Sequence, residues 1–179
     1  MEVRYLKSNQ LFANGSYDKL FATCARPLLA ADHLRNADNM GALIRLADNA
    51  GAAELFFLGK ESSVNASKLQ RAAASSYRNV PWMFCDDELF LEKIPESYKI
   101  VALETTTNSI NLYQTQLPEK AVFIVGNEVS GIRNSMLEKA DLCVYIPVPG
   151  PTRSLNVSHA ASVLLFEWLR QMMHHHKML

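Results

Sequence analysis

The 179-residue sequence predicts an α/β fold with a mostly parallel sheet flanked by helices. Two observations predict it. Short, continuously apolar runs recur along the chain, as expected of strands covered on both faces in a parallel sheet. Amphipathic helical patterns alternate with them, and a βαβα order points to crossover connections rather than hairpins. The length suits one domain, 1–179, with a sizeable core, and 49% apolar with 20% charged residues is ordinary for a soluble globular chain.

In chain order, residues 1–26 fit the alternation least well and read as a helical N-terminal extension. Strand-like runs are "PLLAADHL" (27–34), "AELFFLG" (53–59), "VPWMF" (80–84), "KIVALE" (99–104), "AVFIVG" (121–126) and "LCVYIP" (142–147). After the first, "NMGALIRLADNAG" puts Met40, Leu43, Ile44 and Ala47 on one stripe and ends at Gly51, a good helix terminator. "NASKLQRAAASS" follows Asn65, a natural N-cap. "DDELFLEKI" carries acids in its first turn, where the helix dipole favours them. "GIRNSMLEKAD" is a short amphipathic candidate, and the last helix, about 155–173, is the longest.

Eighteen basic residues balance eighteen acidic ones, which argues against nucleic-acid binding by bulk charge alone. A local patch stays open: Arg26, Arg35, Arg45, Arg71, Arg78, Arg133 and Arg153 either gather on one face or scatter as solvated side chains. Cys24, Cys85 and Cys143 are far apart and odd in number, so neither a disulfide framework nor a zinc site is expected, and a reducing cytoplasm fits. The N-terminus has no apolar signal region, and no apolar run is long enough to span a membrane. "HHHK" (174–177) reads as a polar tail whose charge suits a helix C-terminus.

Ligands of open α/β sheets bind at the carboxyl ends of strands, and three strand ends carry polar chemistry. The first runs into "RNADNMGALIR", where Asn36 and Asn39 are turn and cap residues. Arg45 follows within the first two turns of the helix, and on this segment alone it reads as an exposed helical arginine. The second is "VFIVGNEVSGI" (122–132). Its glycine spacing resembles a phosphate loop, but Ile132 and Arg133 stand where Lys and Ser/Thr are needed, and the dinucleotide glycine pattern is absent. Glu128 can be a turn acid that stabilises the next helix. The third is "PGPTRSLNVSHAASVLL" (149–165). Pro147, Pro149 and Pro151 stiffen it and Gly150 lets it turn. Either Ser154 or Asn156 can cap the last helix. One cap does not explain both, with Arg153 beside them, and the loop suits a small polar ligand.

"NADNMGALIRLADNAG", "VFIVGNEVSGI" and "YIPVPGPTRSLNVSHAASVLLFEWLRQ" resemble the three motifs of the SpoU/TrmH family of RNA ribose 2'-O-methyltransferases, in the SPOUT superfamily. They fall in the family's order and spacing and cover about residues 27–173. One departure is visible: where the family has Asn-Pro, Asn36 is followed by Ala37.

The resemblance implies a C-terminal trefoil knot whose loops bind S-adenosylmethionine (AdoMet), a homodimer with sites at the subunit interface, and a tRNA or ribosomal RNA substrate. It implies that backbone near Leu103, Gly126 and Ile146 holds the cofactor beside Ser154, with Leu155 packed against it. Asn39, Arg45, Glu128, Ser154 and Asn156 match the family's catalytic and substrate positions, and Glu128 is placed to orient Arg45. No metal is implied. The last helix, with Phe166, Trp168 and Leu169, is the candidate dimer contact. A non-catalytic RNA-binding protein on the same fold is the main alternative. A hydrolase built on Ser158 and His159 is disfavoured, because neighbours on a helix point about 100° apart.

Overall fold

The computed structural model describes residues 4–7, 10, 16–60 and 64–178. Seven strands form one sheet: β1 (Leu28–Asp32), β2 (Glu54–Leu58), β3 (Trp82–Cys85), β4 (Lys99–Leu103), β5 (Ile110–Asn111), β6 (Ala121–Val125) and β7 (Leu142–Tyr145). Their order is β3-β2-β1-β6-β4-β7-β5, and every pairing is parallel. The expected parallel α/β architecture is therefore present. β1 and β6 lie inside the sheet and are buried along their whole length, which is why their sequences do not alternate.

Helices cover both faces. They are α1 (Ser16–Thr23), α2 (Ala37–Asn49), α3 (Ala66–Ala73), α4 (Asp87–Lys93), α5 (Asn134–Leu137) and α6 (Val157–His175). The two-residue period of the strands divides the core. Leu29, Leu55, Phe57, Val101 and Phe123 join Leu43 of α2 and Trp168 of α6 on one face. Phe56, Ile100, Val122 and Ile124 meet Phe90 of α4 and Met136 of α5 on the other. Each fully buried side chain of this size contributes about 1.5–3 kcal/mol relative to exposure.

The caps predicted at Asn36 and Asn65 are present, Asn39 lies inside α2 rather than at its cap, and Asp86, expected in the first turn of its helix, is that helix's cap. Asn36, Asn65 and Asp86 accept the N–H groups of Asp38, Lys68 and Leu89 at the starts of α2, α3 and α4. α2 ends at Asn49, and Gly51 takes the left-handed conformation (φ +70°) that follows it. Gly51 N–H then bonds Asp48 and Ala52 N–H bonds Ala47, a paired closure that suits glycine. Because α2 begins at Ala37, Arg45 falls in its third turn, one turn later than expected.

Several details differ from the sequence reading. β5 was not expected, since two residues carry no periodicity. The last helix begins at Val157, because Asn156 is its cap and accepts from Ser158 N. Trp168 and Leu169 are buried within the chain; of the proposed dimer contacts only Phe166 is exposed, at 49%. The segment 1–26 lies partly outside the described residues, but Leu20 and Cys24 belong to the main core. No helix among the described residues is long and apolar enough to cross a membrane.

The arginines do not share one face. Arg26 precedes β1 and Arg35 follows it, at opposite ends of the strand. Arg26 lies over the Phe21 ring (4.4 Å) and donates to Gly51 O. Arg133 is held by two aspartates.

Candidate active site

β6, β4 and β7 are neighbours, so their carboxyl ends form one edge. A cavity of about 520 Å³ opens there, within the ~300–1,000 Å³ typical of small-molecule sites. Leu103, Gly126, Ile146, Ser154 and Leu155 all line it, as do Glu128 and Asn156. Two of the three segments singled out by sequence, 122–132 and 149–165, thus meet there with the end of β4, while residues 35–45 contribute nothing to the lining. Ser154 and Leu155 are exposed to it, and Leu155 retains 42% of its surface.

The middle wall is a tight turn over 126–132. Asn127 and Gly131 exchange two backbone hydrogen bonds (3.0 and 2.9 Å), and Asn127 Oδ1 accepts from Val129 N and Ser130 N. A Cβ on Gly126 would lie 2.3 Å from the Gly131 carbonyl carbon, so only glycine permits this approach. Two carboxylates at the ends of the strands on either side of β6 anchor the far side of the turn. Glu104 accepts Ile132 N–H at 2.9 Å, and Asp32 accepts Arg133 N–H at 2.8 Å.

Asp32 is completely buried. It also accepts from Arg133 Nε (2.8 Å) and from His33 Nδ1 (2.9 Å), while the Arg133 guanidinium grips Asp87 with two bonds (3.0 and 2.7 Å). Burial alone would raise the Asp32 carboxyl. The hydrogen bonds from Arg133 and His33 outweigh it and hold the group below the usual carboxylate range. Neither Glu104 nor the Asp32–Arg133–Asp87 bridge was identified from sequence. An acid closing an apolar run, as in "KIVALE" and "LLAAD", was the available signal.

A chain of polar side chains joins the three motifs beside the cavity. Asn39 Nδ2 donates to Glu128 Oε1 (2.5 Å), and Asn156 Nδ2 donates to Asn39 Oδ1 (3.0 Å). Asn156 Oδ1 in turn accepts from Ser158 N and Oγ. Asn39 is nine-tenths buried, and both ends of its amide are satisfied. The carboxylate of Glu128 accepts only, which fixes which way that amide points. Asn39 therefore ties the turn carrying Glu128 to the loop that closes the cavity.

Arg45 stands apart from this chain. It is exposed, does not line the cavity, and makes no hydrogen bond or ion pair to a described residue. Glu128 is engaged by Asn39, not by Arg45. Ser154 lines the cavity without a hydrogen-bond partner among the described residues.

An all-parallel sheet with a cavity at the carboxyl ends of its strands is an architecture of ligand-binding α/β proteins. The model of the SpoU rRNA Methylase family matches residues 26–166, and the chain belongs to that family. It is 30% identical to a tRNA (guanosine(18)-2'-O)-methyltransferase of Aquifex aeolicus, covering 80% of this chain and 69% of the relative. It is 34% identical to a 23S rRNA (guanosine-2'-O-)-methyltransferase of Blochmanniella floridana, covering 80% of this chain and 57% of the relative. An AdoMet-bound rRNA methyltransferase from Sinorhizobium meliloti has the same fold at TM-score 0.75 and 26% identity, over 83% of this chain and 57% of that one. The chain spans about two thirds or less of these proteins, and a tenth of a mouse relative.

Proposed function

We propose that this protein transfers a methyl group from AdoMet to a ribose 2'-hydroxyl of tRNA or ribosomal RNA. The observation that carries the proposal is the Glu128–Asn39–Asn156 chain, which joins all three family motifs at the rim of one cavity. The names of the relatives, which act on both RNA classes, support the substrate class.

The cavity fits AdoMet in shape and charge. Leu103, Val125, Ile146 and Val148 supply apolar wall for an adenine ring. Glu104 and Glu128 are opposite in sign to a sulfonium and an ammonium, and Arg153 to a carboxylate. Bound there, AdoMet supplies an electrophilic methyl group on sulfur. The protein's task is then largely positioning. Asn39 fixes one Glu128 oxygen and leaves the other able to accept a hydrogen bond from a hydroxyl at the rim. Asn156 holds the closing loop, and Ser154 has a free hydroxyl for ribose or phosphate.

Arg45 is assigned to the developing alkoxide of the ribose. A guanidinium is hard to deprotonate, so it stabilises charge rather than removing the proton. Its exposure leaves it accessible to RNA. The same reading includes a homodimer, supported by the exposed Phe166, and a C-terminal knot. Segments 103–105, 125–131 and 153–157 share the cavity, which supports a last segment threaded among the earlier loops.

The test is methylation of tRNA and ribosomal RNA with labelled AdoMet, followed by mapping of 2'-O-methyl positions. Label at a defined ribose is the expected result. RNA binding without label transfer would select the non-catalytic alternative.

A further inference from the structure

At the amino ends of the strands, away from the cavity at their carboxyl ends, Cys24, Glu119 and His176 converge. Cys24 lies between α1 and β1, Glu119 precedes β6, and His176 closes α6. Their ligand atoms all lie within 4.8 Å of one another. Cys24 is 4% exposed, and the Glu119 and His176 side chains are 33% and 19% exposed.

His176 Nε2 is the one buried side-chain nitrogen or oxygen without a hydrogen bond among the described residues. Its neighbour is Glu119 Oε2 at 3.4 Å, close enough for an ion pair but too poorly placed for a hydrogen bond. Native structures rarely leave such an atom unsatisfied without an explanation such as an ion. The other Glu119 oxygen is already fixed by Ala25 N (3.1 Å), which aims Oε2 at the histidine. The helix end is fixed too: Lys177 N–H bonds His174 O and Met178 N–H bonds Met173 O, with Lys177 at φ +56°.

We propose that Cys24, Glu119 and His176 bind a zinc ion. Tetrahedral zinc, with bonds of about 2.0–2.2 Å to nitrogen and oxygen, puts those two ligands roughly 3.4 Å apart. That is the separation seen here between His176 Nε2 and Glu119 Oε2. The sulfur must approach to about 3.6 Å, a shift of at most about 1.2 Å from the observed limit of 4.8 Å. Thiolate, imidazole and carboxylate together form a borderline-soft donor set that suits zinc better than magnesium or calcium. A cavity of about 90 Å³, lined by Glu119, Gln171 and His175, adjoins the cluster and has room for a water as fourth ligand. The ion joins three segments distant in sequence and serves the fold, because the candidate active site lies at the other ends of the strands.

The test uses the full chain without a histidine tag, stripped by chelator and dialysed. Titration with Co²⁺ is expected to produce a thiolate-to-cobalt charge-transfer band that saturates at one equivalent. Zn²⁺ then abolishes the band and raises the thermal midpoint. C24S should lose the band, and C24S and H176Q should each weaken Zn²⁺ binding by more than the ~100-fold that loss of an outer-shell partner costs. H174N/H175N, which removes the adjacent surface histidines, should keep the band. If C24S does not fold, E119Q and H176Q carry the comparison. Absence of the band in the wild type would overturn the proposal. So would Zn²⁺ affinity unchanged in C24S and H176Q, which would leave Glu119 and His176 as a bare ion pair.

Discussion

Asp32→Asn is expected to destabilise the protein by about 3 kcal/mol at neutral pH. The buried carboxylate serves three donors: Oδ2 takes Arg133 N–H, and Oδ1 takes Arg133 Nε and His33 Nδ1. An amide of the same shape turns one of those oxygens into an NH₂ group, so at least one donor then faces another. Each hydrogen bond to a charged group is worth about 1.5–3 kcal/mol, and breaking a buried pair costs about 3–5 kcal/mol. The lower part of that range applies, because the Arg133 side chain is 34% exposed and keeps Asp87. The folded-state pKa of Asp32 lies below its ordinary value. Its stabilising contribution is therefore complete above the unfolded pKa near ~3.9 and is lost as pH falls through the folded value. Urea unfolding of both proteins, followed through Trp82 and Trp168, measures the gap at pH 7 and along an acid series. A gap below about 1 kcal/mol at pH 7, or one that does not shrink in acid, would refute the assignment.

Arg45→Ala should leave the thermal midpoint and AdoMet binding near wild type but slow single-turnover methylation by ~10²–10³-fold at saturating RNA. A near wild-type rate constant would return Arg45 to the role of an exposed helical side chain. Gly126→Ala forces a Cβ to 2.3 Å from Gly131 and 2.4 Å from Ile132 N; a loss of about 1–3 kcal/mol by urea unfolding is expected, together with weaker AdoMet binding by calorimetry. Burial, then the charges of Asp86 and Glu54, push the Cys85 thiol up to about 11. It should resist alkylation at pH 8 in the native protein and react once the chain is unfolded, as mass spectrometry can check.

Much of the layout was legible because parallel strands are buried on both faces and so announce themselves as apolar runs. Six strands and the caps at Asn36 and Asn65 followed from local pattern, and the pocket shared by the ends of β4, β6 and β7 followed from the family resemblance. What local pattern cannot hold is contact between distant residues. Asp32 and Arg133 are 101 residues apart in sequence, and Asn39 and Asn156 are 117 apart. Trp168 looked available for a partner because its helix is rich in apolar and aromatic residues. In the structure it fills the core beside Phe123 and donates to Pro118 O. Glu128 could be assigned to Arg45 by charge alone, whereas the packing of α2 brings Asn39 to it.

The strand order also sets a timetable for synthesis. β1 is flanked by β2 and β6, and its pairing with β6 joins residues about 94 positions apart, as in Leu28 with Val122. A ribosome adding roughly 5–20 residues per second needs about 5–19 s to supply that second neighbour. During that interval the apolar strands Leu28–Asp32 and Glu54–Leu58 have emerged, but one edge of β1 has nothing to pair with. Non-local pairing of this kind folds slowly and leaves the nascent chain open to aggregation. The nascent N-terminal half therefore keeps one edge of β1 unpaired until β6 arrives.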